Sequence, residues 1–296
     1  MSGLRCFGRV GLLVLLCATV ADARAQAWLP EQGEWSYTLS YNDIFNKKHY
    51  LPDGSEVDVG HTRSKTVGLS VTWAPTDRLM LAAGIPFVRT EYHGPRPHVG
   101  TDVDDGHGQS TVTDLRLELH WQALRAPLAL APYVAAVIPT HDYEVLGHAA
   151  PGRGLHEYWV GFFAGKSLDA WLPRTYVQVR CNYAFVQEVV GIAHDRSNLD
   201  VELGYFFNPR LAVQAIGSWQ WTHGGIDVPV PPSHPLYRYH DQLADDEFLN
   251  VGGGVVWFAT AAASFYVNYT TSVRGRNGHK LDQGLNWGIT YRPGAR

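Results

Sequence analysis

From Leu281 to Tyr291 the chain alternates. Leu281, Leu285, Trp287, Ile289 and Tyr291 hold every second place, Gln283 is the one polar break, and Asp282, Gly284, Asn286, Gly288 and Thr290 stand between them. A period of two marks a strand with one oily face and one wet face. In a soluble sandwich the oily face is buried, whereas in an outer-membrane barrel it looks at lipid and the polar face lines the lumen. The fold therefore depends on how often the pattern recurs and how the segments are joined.

The pattern recurs in twelve segments. Trp35, Tyr37, Leu39 and Tyr41 alternate with Ser36, Thr38 and Ser40, and Val67, Leu69, Val71 and Trp73 alternate with Gly68, Ser70 and Thr72. Leu115, Leu117, Leu119 and Trp121 alternate with Arg116, Glu118 and His120, and Leu199, Val201, Leu203 and Tyr205 with Asp200, Glu202 and Gly204. Residues 249–257 and 265–270 read the same way, while 156–168, 174–189 and 210–222 do so with more noise. Residues 78–89 and 128–138 are apolar on both faces, and Pro132 is expected to force a bulge or a register change.

Connections alternate too. Short turns (APTD, LRAP, DAWLP, FNPR, FATAA) follow every second segment, and mostly longer polar ones follow the others, the longest being Glu91–Ser110 and His223–Asp246. An even strand number with short and long connections in turn matches an antiparallel up-and-down transmembrane β-barrel of about 12 strands, with short periplasmic turns and long extracellular loops. The all-β class also explains the polar face. Arg116, Glu118, Arg180, Asp200 and Glu202 would each cost several kcal/mol in a soluble core unless paired, and far less in a wet lumen. With Asp114 they are the expected lumen and selectivity residues; a structural salt-bridge network that plugs the barrel is the equal alternative. Eight strands enclose only side chains and 16–18 enclose a water-filled pore. Twelve therefore predict a narrow or partly plugged passage.

Residues 1–25 read as a secretory signal peptide, with Arg5 and Arg9 before the apolar run Val10–Val20 and Ala23–Ala25 as a small-x-small cleavage site; cleavage after Ala27 fits as well. Residues 26–296 are then the barrel. Of three cysteines only Cys181 would survive, which excludes a disulfide scaffold. The net charge of −4 offers no basic footprint for nucleic acid. The expected location is the outer membrane of a Gram-negative cell, with lipid, a small-molecule solute and the outer-membrane assembly machinery as partners. The machinery would read the last strand, where Asp282, Gly284, Trp287 and Ile289 fall in the order of a barrel assembly signal.

Two stretches carry a resemblance. Asp104–Leu124 (DDGHGQSTVTDLRLELHWQAL) resembles the Gly-rich, Gln-Ser, Asp-Leu segment of the family labelled "MetA-pathway of phenol degradation". Ile138–Gly147 (IPTHDYEVLG) is similar to that family's Pro-Thr-Gly-Asp-Tyr segment, with His141 where Gly is usual. The resemblance implies an outer-membrane barrel of transporter type and marks Gly106–Ser110 and Asp114, with no catalytic role for either. The expected function is passive uptake of small hydrophobic or aromatic molecules. Ala82, Gly84, Ala129, Tyr133, Ala135 and Val137 would supply an oily lumen wall, unless a plug lies against it. A non-conducting structural or surface-interaction barrel is the alternative. A rim-sited hydrolase is a third reading, with His107 and Ser110 close in sequence but no nucleophile motif around them.

Of 14 His, only His120 falls well inside a predicted strand. The rest gather in or beside outer loops, several next to carboxylates. A metal-capturing rim and solvated loop filling both fit this pattern, and without a His pair on a helix the second is the simpler. No metal, cofactor or catalytic residue is expected. Gly252–Gly254 lacks the following Lys and helix of a phosphate loop and reads as a bend in the sheet or room for a side chain.

Overall fold

The computed structural model describes residues 27–95, 103–231 and 233–294. The expected signal peptide and His98 lie outside them. The chain order is β1 (Trp35–Tyr50), β2 (Glu56–Val57), β3 (His61–Thr76), β4 (Leu79–His93), β5 (Gln109–Val112), β6 (Asp114–Trp121) and β7 (Ala129–Pro139). It continues with β8 (Glu157–Ser167), β9 (Thr175–Val186), β10 (His194–Asn208), β11 (Leu211–Gly224), a helical turn with α1 (His240–Leu243), β12 (Glu247–Phe258), β13 (Ala263–Arg276) and β14 (Gly278–Tyr291). No described helix is long and apolar enough to cross a membrane.

Each long strand pairs antiparallel with its neighbours in sequence, and β14 pairs back onto β1 from Tyr37↔Tyr291 to Tyr50↔Gly278. The result is a closed barrel of twelve long strands. Closure leaves the wall no open edge, so each long strand has a hydrogen-bonding neighbour on both sides, which apolar surroundings demand. The two short strands were not legible as alternating segments. They decorate outer connections: β2 pairs with the end of β1, and β5 with β4 from Phe87↔Val112 to Thr90↔Gln109.

The faces sort as the alternation predicts. Leu39, Leu69 and Leu119 are 48%, 51% and 43% exposed, while Thr38, Ser40 and His120 are each 1% exposed. A row of leucines left uncovered all around a closed sheet is a lipid-facing surface. Aromatics end the band. Trp35 and Trp73, with ring centroids 5.4 Å apart, stand with Trp121, Trp257 and Tyr291 at the short-turn end, and Phe87, Tyr158 and Phe185 stand toward the other.

Pro132 acts on one side of its strand. The β7–β8 register runs unbroken from Ala129↔Gly165 to Val137↔Glu157. On the other side the β6–β7 ladder ends at His120↔Tyr133, next to the missing amide donor, and pairing resumes at Leu124↔Leu130 one residue out of register, the expected register change. Gly254 does make room for a side chain. A Cβ there would collide with Asn268 Oδ1, which accepts a hydrogen bond from Gln214 Nε2 at 2.9 Å. Gly254→Val should therefore lower barrel stability by about 1–3 kcal/mol through overpacking, read as a shift in the urea midpoint of the refolded protein.

Candidate functional site

The wet face of the sheet encloses a cavity of about 500 Å³. One wall, from β1, β3 and β4, offers small groups: Ser36, Thr66, Ser70 and Thr72 with Met80, Ala82, Gly84 and Val88. The facing wall, from β6 to β10 and the connection before β8, is charged. The sequence marks six residues there, and the structure divides them. Asp114, Arg116, Glu118 and Arg180 line the cavity, whereas Asp200 and Glu202 are not among its lining residues.

Each of the six has a partner. Glu118 binds Arg116 through one oxygen and His120 Nε2 at 2.6 Å through the other. Arg180 donates to the Tyr133 hydroxyl at 3.0 Å and lies 3.7 Å from Asp200, which in turn takes a long 3.3 Å bond from Ser218. Glu202 accepts from Tyr176, whose ring passes over Gly204 toward the short-turn end. Asp114 accepts from Tyr143 at 2.6 Å. Burial, and after it the bond to Asp114, pushes the Tyr143 hydroxyl above its ordinary pKa, so it stays a donor. Tyr143 also accepts from the Gly154 amide at 2.9 Å and so ties the outer loop to the top of β6. The two family-like stretches therefore meet: Asp114 comes from one and Tyr143 from the other.

Four neighbours escaped the sequence reading. Trp159 of β8 lies under Arg116 at 4.1 Å and near Arg180 at 5.3 Å, a tryptophan held between two guanidinium groups. Its indole N–H donates to Glu157 at 2.9 Å, and Glu157 pairs with Arg196, both carboxylate and guanidinium being almost fully buried. Residues 156–168 alternate noisily, so this face was hard to assign. Arg153, in the connection before β8, meets Asp246 at 3.6 Å and had no strand pattern to place it.

The oily wall is only partly open. Ala82, Gly84 and Val137 line the cavity, but Ala129, Tyr133 and Ala135 are buried beneath the segment that precedes β1. Ala27 and Leu29 pack on those residues and on Phe163. The segment is pinned by Gln122: its side-chain oxygen accepts from the Leu29 amide at 2.7 Å, and its amide donates to the Ala27 carbonyl at 2.8 Å. Gly165 permits this approach, since a Cβ there would sit 2.5 Å from the Trp28 ring. Trp28 lines both the main cavity and a second one of about 440 Å³ toward the short turns, bounded by Tyr176, Phe206 and Phe258, and so stands between them. At the opposite end the β11–β12 connection folds in, with Leu243 fully buried against Leu155, Ala184, Val186 and Val189. Behind β14 the chain turns back on itself, and Arg292 reaches the cavity.

His107 pairs with Asp105 at 3.0 Å, and Ser110 lies in β5; among the described residues they share no hydrogen bond. Ser197 does meet His223 at 2.7 Å, while Asp195 accepts from Tyr183 and the Val186 amide; among the described residues no carboxylate bonds His223.

No family model matches the sequence, and no curated protein matches it. Solved structures do. A crystal structure of an outer membrane channel from Pseudomonas putida F1 is similar over 92% of this chain and 100% of its own, at 17% identity and a TM-score of 0.70. The NanC porin is similar over 86% of this chain and 98% of its own, at 8% identity and a TM-score of 0.50. The protein has the fold of the outer-membrane β-barrels, and that fold indicates the outer membrane as its place.

Proposed function

We propose that the barrel carries small hydrophobic or aromatic molecules across the outer membrane by passive diffusion, entering as a member of the phenol-degradation family its motifs resemble. One observation carries the reading: a cavity of about 500 Å³ large enough for a monoaromatic ring, with Trp28, Met80, Val88, Val137 and Trp159 beside the charged belt. The similar protein from Pseudomonas putida F1 is described as a channel, which supports the class. Under this reading Arg116, Glu118 and Arg180 hold the narrowest part in shape, and Trp159 offers a ring for stacking. Residues 1–25 direct export, and β14 directs assembly. Cleavage after Ala25 keeps the Ala27 carbonyl that Gln122 holds; cleavage after Ala27 removes it.

A second reading, a barrel that conducts nothing, is favoured by the packing of both ends. Single-channel recording of the refolded mature chain in a planar bilayer separates the two. The expected result is small stable steps that phenol or toluene blocks, and that Arg180→Ala alters in size or ion preference. Silence with and without solute, together with unchanged silence in Arg180→Ala, would leave the structural barrel in first place.

A further inference from the structure

Four histidines far apart in sequence meet at the long-loop end of the barrel. His49 is the last residue but one of β1 and His279 the second of β14, and the two are register partners across the closing seam. His148 comes from the β7–β8 connection, and His240 with Asp241 from α1. Ring centroids are 4.2 Å apart for His49 and His279, and 5.4 Å for His148 against each of His49, His279 and His240.

Three nitrogens of this cluster make no ordinary hydrogen bond. Both ring nitrogens of His49 and Nδ1 of His279 are buried without a partner. An orphaned buried polar atom costs about 1–3 kcal/mol, and three in one cluster need an explanation. The nearby ammonium groups are engaged elsewhere, Glu56 holding Lys48 at 2.8 Å and Lys280 at 2.7 Å. Unpartnered imidazole nitrogens gathered in one place are the donors that a borderline-soft divalent cation takes.

The spacing agrees. One ligand atom from each of His49, His148 and His279 falls within a mutual distance of 4.8 Å, and so does one from each of His148, His240 and Asp241. A tetrahedral zinc site with bonds of about 2.0–2.1 Å needs ligand atoms about 3.3 Å apart, which ring rotation can reach. The surroundings resemble an outer shell. His148 Nδ1 meets Asp241 Oδ1 at 2.9 Å and His240 Nδ1 meets the Tyr237 carbonyl at 2.5 Å, the carboxylate and carbonyl partners that orient metal-bound histidines. The His279 side chain is 32% exposed, which leaves a way in from outside.

We propose that His49, His148 and His279 bind one divalent transition-metal ion of the zinc or copper class, with Asp241 and His240 orienting the set. The ion would join the β1–β14 seam to two outer connections, fastening the cap over the mouth. This stands on the geometry of the cluster and is independent of what the lumen carries.

The test uses the refolded full mature chain, stripped with a chelator and dialysed against micromolar zinc chloride, with retained metal counted by mass spectrometry. The expected result is one zinc ion per folded barrel. His148→Ala, a loop change outside the barrel wall, should weaken binding at least tenfold, and Cu²⁺ bound at the same site should show imidazole nitrogen couplings in electron paramagnetic resonance. His107→Ala, an exposed loop histidine elsewhere, should bind as the parent does. Equal zinc retention by the parent and His148→Ala, or no stoichiometric zinc in a parent shown folded by heat-modified gel mobility, would overturn the proposal. Should His49→Ala or His279→Ala fail to close the seam, His148→Ala alone decides.

Discussion

A mature chain that starts at Glu31 is expected to conduct severalfold more than one that starts at Gln26. The physical argument is local. Ala27 and Leu29 lie on the lumen face of β7 and β8, and Trp28 stands between cavities of about 500 Å³ and 440 Å³. Two hydrogen bonds to Gln122 hold the segment. Their loss uncovers Ala129, Tyr133 and Ala135 and joins the two spaces. Trp28→Ala should produce part of the same increase, and Gln122→Ala should raise the frequency of brief openings, because each lost bond to a nearly buried amide removes about 0.5–1.5 kcal/mol from the closed arrangement. Recording all three in planar bilayers checks the order. Conductance equal to the parent in the shortened chain would place the block at the other end, under Leu243.

The second large effect concerns Glu157. Its carboxylate and the Arg196 guanidinium are almost fully buried, 6% and 7% exposed, and they face each other across β8 to β10. Glu157→Ala removes the carboxylate that pairs with Arg196, and Trp159 loses the acceptor for its N–H. Removing one partner of a buried pair typically costs about 3–5 kcal/mol, far more than the pair contributes over an apolar substitute. The expected outcome is a fall of that size in the urea unfolding free energy of the refolded barrel. Glu157→Gln with Arg196→Met should recover most of it. If the single change costs less than about 1 kcal/mol, water reaches the pair and the lumen is wetter there than its burial indicates.

Both effects depend on features that local sequence could not display. The strands were legible because alternation is a property of neighbours: Leu281 to Tyr291 declares a two-faced strand without knowing what it touches. Connection length was legible as well, and with it the antiparallel order. Burial then assigned the faces as the alternation of Leu39 with Thr38 and Ser40 implies. The six charged positions were found for the same reason, as polar breaks in a strand pattern. Their division, with Asp200 behind Arg180 and Glu202 turned to Tyr176 while the other four line the cavity, was not.

Periodicity together with connection length thus determined the class of fold, the number of long strands and the side facing lipid, since both are properties of neighbours in the chain. Only the tertiary structure decided how the lumen is filled. Ala27–Pro30 has no repeat to announce it, and its place depends on a gap above Gly165 and an amide at Gln122. The histidine cluster is the same case. His49, His148, His240 and His279 span most of the chain, and barrel closure of β14 on β1 brings the first and last together. Contacts made by closing a ring belong to the whole sheet, and no window of sequence contains them.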